Sequence, residues 1–326
     1  MKLARLGGPL ALAAGLLLAL ADGAAAQTYP NRSVRILIAF PAGGSIDTLG
    51  RLLAQKLSEE WGQNVVVENR PGAGGNIGAA AAAQSAPDGY TLHLGAQTLG
   101  VNVAIAPYQG FDPVRDLEPV MLVATAQDVL MVAPDSPYKT VKDLIEDARK
   151  RPGELNYASL GPGTSAHLAT VLFSEVTGVK LQHVPYPTGM SQAVTDIITG
   201  RVTMWLATLG GALGNIQAGK VRALAVSGQA RAEALPTVPT FKESGVAMDE
   251  ESTWFGFFVP KGTPKEVVAK VNSDVGRILA LPDVRQRAVT MGYRFIGGPP
   301  EKLGAHLRAE IAKWADVAQK AALATR

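Results

Sequence analysis

The stretch Val34-Arg35-Ile36-Leu37-Ile38-Ala39-Phe40-Pro41-Ala42-Gly43-Gly44-Ser45-Ile46-Asp47 constrains the fold more than any other part of the chain. Residues 34–40 form a short, nearly continuous apolar run, the pattern of a strand covered on both faces. Beyond Asp47, the residues Leu49, Leu52, Leu53 and Leu57 fall at helical spacing, Trp61 follows one turn later, and Gly62 supplies a stop. Pro41-Ala42-Gly43-Gly44 turns the backbone tightly between the two and leaves amide groups uncovered at the helix start. Unpaired N–H groups and the helix dipole make such a start attractive to anions. The same turn has a plain structural reading, a tight strand-to-helix junction with no ligand.

The pattern repeats along the chain. Residues 64–68 read as a second strand, 77–85 as an Ala-rich helix, Pro87-Asp88-Gly89 as a turn and 90–94 as a third strand, ending at Gly95-Ala96-Gln97-Thr98. A β-α-β-α-β order predicts a parallel sheet with helices on both faces. Strands at 120–123 and 129–132 lead into a second α/β series, opened by a helix that Thr140 caps, with Asp143 in the capping-box position. Strands follow at 155–158, 181–184, 202–207 and 221–226, and helices at 165–178 and 190–199. A second strongly apolar strand, Trp254-Phe255-Gly256-Phe257-Phe258-Val259-Pro260, precedes helices at 264–279, 283–291 and 300–322, with a short strand at 293–295. The expected organisation is two α/β lobes: residues 27–127 with 254–326 form lobe 1 and residues 128–253 form lobe 2. The chain then crosses between lobes twice, near 124–128 and near 252–257. Double-hinged proteins of this kind bind small molecules in the interlobe cleft, at the carboxyl ends of the strands.

Composition removes several classes of function. With 326 residues, 47% of them hydrophobic, the chain can bury a large core. Its net charge of +3 is small and its cations are scattered, so no nucleic-acid partner is expected. The absence of cysteine excludes thiolate metal sites, thiol nucleophiles, disulfides and a lipidated N-terminal cysteine. Lys2 and Arg5, an apolar run at 10–20 and Ala24-Ala25-Ala26 have the form of a signal peptide over residues 1–26. Export without a later membrane span or lipid anchor leads to an expected location in the periplasm. His93, His167, His183 and His306 lack metal-ligand spacing, and Gly72-x-Gly74 lacks the third glycine of a dinucleotide loop at Ile77, so neither metal nor cofactor is expected.

Tyr29-Pro30 through Asp47, Glu68-Asn69-Arg70-Pro71-Gly72-Ala73-Gly74-Gly75-Asn76-Ile77-Gly78 and Pro87-Asp88-Gly89-Tyr90-Thr91-Leu92 resemble the tripartite tricarboxylate transporter receptor family, also called the Bug family. The resemblance continues through Gly163-Thr164-Ser165-Ala166-His167, His183-Val184-Pro185-Tyr186 and Pro239-Thr240-Phe241, and spans essentially the whole mature chain. It implies a Venus-flytrap fold of type II topology and a periplasmic receptor. Such a receptor captures a small organic carboxylate and presents it to the membrane subunits of a tripartite transporter. A receptor that instructs a membrane sensor kinase is the alternative, an exported hydrolase of a carboxylate is the least favoured one, and a monomer is expected.

The candidate ligand-binding residues follow. Ala42, Gly43, Gly44 and Ser45 would form the first anion-binding turn, although Ser45 can equally cap its own helix. Asp47 is counted with them, but a carboxylate repels an anion and suits the first helical turn, so a structural role is favoured. Gln97 and Thr98 follow the third strand into the cleft. Gly163, Thr164 and Ser165 would form a second anion-binding turn, facing the first; the run begins like a nucleophile elbow, but His167 replaces its closing glycine. His167, one turn into that helix, is either a buried neutral side chain or a ligand contact. Tyr186 follows a strand of lobe 2, and Pro187 stands where the family often carries a basic residue. Trp254 and Phe255 are either core at the second crossing or a wall of the site.

Overall fold

The computed structural model describes residues 29–105, 110–162, 164–186, 190–248 and 253–320. Residues 1–28 (which include the expected signal peptide), Gly163 and Pro187 therefore lie outside the described residues. Among those described, no helix is long and apolar enough to cross a membrane.

The first β-α unit forms as its sequence dictates. Strand β1 (Val34–Ile38) is buried at every position but Arg35, whose guanidinium reaches Glu68 at 2.8 Å. Helix α1 (Ser45–Trp61) buries Ile46, Leu49, Leu52, Leu53 and Leu57 on one face and stops at Gly62, whose φ of 62° only glycine adopts freely. There follow β2 (Val65–Asn69), a single 3₁₀ turn (Ala73–Gly75), α2 (Asn76–Ala83), β3 (Thr91–Ala96), α3 (Thr98–Ile105), the short α4 (Pro113–Asp116) and β4 (Leu117–Ala126). The chain then passes through Gln127 into β5 (Asp128–Val132), α5 (Val141–Lys150), β6 (Asn156–Ser159), α6 (Ser165–Thr177), β7 (Gln182–Pro185), α7 (Met190–Ile198), β8 (Trp205–Thr208), α8 (Leu209–Gln217) and β9 (Arg222–Val226). It returns through β10 (Thr253–Pro260), α9 (Lys265–Ala280), α10 (Pro282–Thr290), β11 (Tyr293–Phe295) and α11 (Pro300–Lys320). The Thr140–Asp143 capping box at α5 is present in both of its reciprocal bonds.

One sheet has six strands in the order β11-β4-β10-β3-β1-β2. The parallel expectation holds for β2, β1 and β3, and in the second lobe for β6 with β7. The sheets as wholes are mixed: β10 runs antiparallel to both β3 and β4, and β5 runs antiparallel to both β8 and β9. The reason is topological, since a strand returning from the other lobe enters the sheet from its opposite end. A bridge between Tyr157 and Met204, with Ala158 N–H donating to the Met204 carbonyl at 3.0 Å, joins the smaller β6-β7 and β8-β5-β9 sheets edge to edge.

Each lobe has its own apolar interior. In the first, Ile36, Leu53, Leu94, Val123, Phe257 and Val275 share one cluster; in the second, Leu130, Leu144, Tyr157, Phe173 and Phe241 share another. Trp254 and Phe255 are core and not a wall of the cleft: both are buried, Trp254 donates to Glu310, and Phe255 packs edge-on against Tyr293. One close backbone approach is at Gly78 of α2, where an added Cβ would lie 2.6 Å from the Arg70 carbonyl oxygen and 2.7 Å from the Ala39 Cα. Backbone atoms cannot swing aside, so Gly78→Ala is expected to cost roughly 1–3 kcal/mol. Gly214→Ala, in open space within α8, is expected to be neutral or to stabilise by a few tenths of a kcal/mol. Thermal melts of the two variants check this; equal melting temperatures would contradict it.

Candidate functional site

Asp47 organises the first turn, and both of its carboxylate oxygens are engaged within the protein. It is 3% exposed and accepts at Oδ2 from Gly43 N–H (2.8 Å) and Arg51 Nε (2.9 Å), and at Oδ1 from Asn69 Nδ2 (3.0 Å). Asn69 also donates to the Phe40 carbonyl at 3.0 Å, so one carboxylate and one amide tie the 40–43 loop, α1 and β2 together. Burial alone would raise the Asp47 pKa, but the hydrogen bonds from Arg51, Gly43 and Asn69 outweigh it and hold the carboxyl below its ordinary value. The Gly43 N–H, expected to face an anion, is therefore engaged by Asp47; Gly43 itself has a φ of 83°. What stays open lies one residue further on. Helix α1 starts at Gly44 with no side-chain cap, and its first amides, from Ser45 onward, have no acceptor within the helix. Gly44 and Ser45 are half-buried and Ala42 is exposed.

The second lobe meets this turn through a helix that the sequence reading missed. Helix α8 starts after Thr208, again without a side-chain cap, and a Cβ added at Gly211 would lie 3.5 Å from Ser45 Oγ. Next to it, Tyr293 Oη donates to the Ser45 carbonyl at 2.7 Å, and the Leu209 N–H donates to the Gln127 carbonyl at 2.8 Å. The uncapped starts of α1 and α8 are thus juxtaposed across the lobes. Leu209-Gly210-Gly211 hides this helix from propensity arguments, because glycine disfavours helix interiors. The available signal was positional: an uncommitted stretch directly following a buried strand.

Helix α6 supplies another uncapped start. Its N-cap, Thr164, donates Oγ1 to the Gly161 carbonyl at 2.7 Å, closing its own turn rather than facing outward, while Ser165 is half-buried. Gly163 lies outside the described residues. One turn in, Leu168 of α6 shares a buried cluster with Val101, which lies one turn beyond Thr98 on α3. Gln97 and Thr98 are both buried, and Gln97 Oε1 has no hydrogen-bond partner.

His167 belongs to an aromatic cluster centred on His183, whose ring lies 4.6 Å from His167 and 4.9 Å from Tyr157. Burial, and secondarily His183, lower its pKa to about 4, so it is neutral at pH 7. His183 and Ser159 approach at 2.6 Å, but Ser159 is fully buried and also accepts from Gly161 N–H, so the pair shapes the turn and presents no nucleophile. Tyr186 Oη donates to Asp196 at 2.8 Å, which engages its hydroxyl within lobe 2. Among the described residues no cluster of three or more His, Asp or Glu could hold a metal ion.

Two α/β lobes with uncapped helix starts between them define a two-lobed periplasmic binding protein. The chain belongs to the tripartite tricarboxylate transporter family receptors, whose family model matches residues 49–323. It is 39% identical over 289 residues to the UPF0065 protein in the tcbD-tcbE intergenic region of a Pseudomonas species, covering 88% of this chain and 86% of that one. Among solved structures, an R. palustris protein with adipate aligns with a TM-score of 0.85 at 37% identity, over 90% of this chain and 98% of that one. MatC from Rhodopseudomonas palustris with bound malate aligns at 0.79 and 31% identity, over 89% and 99%.

Two outcomes follow from the electrostatics. Asp47→Asn removes the charge from three hydrogen bonds and is expected to destabilise by about 1–3 kcal/mol at pH 7. The loss disappears below the folded pKa of Asp47, where the wild-type carboxyl is itself protonated; an unchanged melting temperature at pH 7 would contradict this. His93 and His167 are both lowered from 6.5 to about 4 by burial. The unfolded chain therefore binds more protons than the folded one between those values. Stability present above pH 6.5 is expected to drain away as the pH falls towards about 4. His167→Gln should flatten that slope in melts against pH, and an identical slope would contradict the assignment.

Proposed function

We propose that the protein is a periplasmic receptor that captures a small organic carboxylate between its lobes and delivers it to the membrane subunits of a tripartite transporter. The observation that carries this is the apposition of two uncapped helix starts from different lobes, α1 at Gly44 and α8 at Thr208, with Gly211 against Ser45; α6 at Thr164 is also uncapped, as are α2, α9 and α10. The adipate-bound and malate-bound relatives support a dicarboxylate as the ligand class. The ligand-facing groups in this reading are the amides after Gly44, Ser45 Oγ, the amides of Gly210 and Gly211, Ser165, and the side chains of Gln97 and Thr98. Asp47, Thr164, His167 and Tyr186 shape the site without touching the ligand. Residues 1–26 are removed on export, and the lobes divide at 127/128 and 253/254.

Energetics support binding without a cation. Charge-assisted hydrogen bonds contribute roughly 1.5–3 kcal/mol each, and micromolar affinity needs about 8 kcal/mol. A few amide and hydroxyl donors reach that sum. The receptor reading is supported by the burial of Ser159, whose hydroxyl, paired with His183, is enclosed within its own turn.

The test is a thermal-shift and calorimetric panel of malate, adipate and related acids on the mature protein. At least one dicarboxylate is expected to raise the melting temperature. Ser45→Glu, which puts a carboxylate at the α1 start, is expected to weaken that ligand about 100-fold or more. Ser45→Ala should cost about tenfold or less. Undiminished affinity in Ser45→Glu, or no response to any acid, would overturn the reading.

A further inference from the structure

Away from the strands that cross between the lobes, one apolar cluster draws side chains from both. Val101 on α3, Leu168 on α6, and Trp314 and Val317 on α11 are 0%, 1%, 1% and 6% exposed, with Ala104 and Val171 packed against them. Leu168 and Val171 belong to the second lobe; the other members belong to the first. The cluster contains no residue of the crossings. Those lie at Gln127, whose carbonyl accepts from Leu209, and at Thr253, whose hydroxyl meets Thr208 at 3.5 Å. The indole of Trp314 is fixed from its own lobe: its Nε1 donates to Glu310 Oε2 at 2.9 Å, and the same buried oxygen accepts from Trp254 at 3.4 Å. Leu168 is one turn from the start of α6 and Val101 one turn from the start of α3, so the cluster holds these two helix starts side by side.

We propose that α3, α6 and α11 form an apolar latch that keeps the lobes together in the absence of ligand. Opening the cleft by rotation about the crossings would separate Leu168 from Val101 and Trp314 and expose all of them to water. The fraction of unliganded protein with its lobes together then sets the apparent affinity, because a ligand that needs closed lobes binds only that fraction. This second consequence rests on the binding reading above; the latch itself does not.

Small-angle X-ray scattering of the ligand-free mature protein tests it. Leu168→Ala is expected to give a larger radius of gyration than wild type, with unchanged helical circular dichroism. If Leu168→Ala loses that dichroism, Val171→Ala, at the half-buried edge, decides the question in its place. The affinity of the latch variant for malate is expected to fall about tenfold. Equal radii in wild type and a folded variant would overturn the latch. If neither malate nor adipate binds wild type, the receptor reading fails while the scattering comparison still decides the latch.

Discussion

Strand β10 is the constraint on which the rest of the molecule depends. All eight residues of Thr253–Pro260 are buried, and the strand lies between β3 and β4, paired with both. A strand bonded on both edges has its position set by two neighbours at once, and a slip of one residue would exchange every side chain between two differently packed faces. Since β10 arrives from the second lobe, its insertion also fixes where that lobe connects. Gly256 shows how tight the fit is: an added Cβ would fall 2.7 Å from Leu303 of α11. The C-terminal helices are thereby bound to the first sheet, and α11 is placed to carry Trp314 towards α6.

Within that frame the site is built by leaving groups unsatisfied. Helix starts normally acquire a Ser, Thr, Asp or Asn cap. Thr140 does this at α5, a helix that the sequence marks by its capping box. At α1 the acidic residue in the first turn reaches back to Gly43 instead, tightening the loop while leaving the first amides open. Asp47 thus serves binding indirectly: it fixes the loop, and its charge is compensated by Arg51 and Asn69. Neutral donors suit an exchangeable ligand, since they bind an anion without the cost of desolvating a cation.

Much of this was legible in the sequence. The apolar run at 34–38, the helical spacing to Trp61, the Gly62 stop and the return of the C-terminal helices to the first lobe all appear in the structure because each has a local physical cause. Asp47 was also readable as structural, since an acid in the first turn has an obvious partner in its own backbone. Two features were not legible. Helix α3 follows β3 after a single residue, Gln97, and carries no charged residue to mark its start. Helix α8 opens on two glycines that matter for the approach of Met291 and Ser45, a tertiary cause invisible to local propensity. As a result Gly211, which no local signal marks, is the second-lobe residue found against Ser45.

The central claim is that an organic anion is held by open helix starts and not by a charged side chain. A crystal structure of the mature protein grown with malate tests it most directly. The expected result is a ligand carboxylate within about 3 Å of backbone N–H groups at the start of α1 and of α8 or α6. A carboxylate held principally by an arginine or lysine side chain, or bound outside the interlobe cleft, would contradict it.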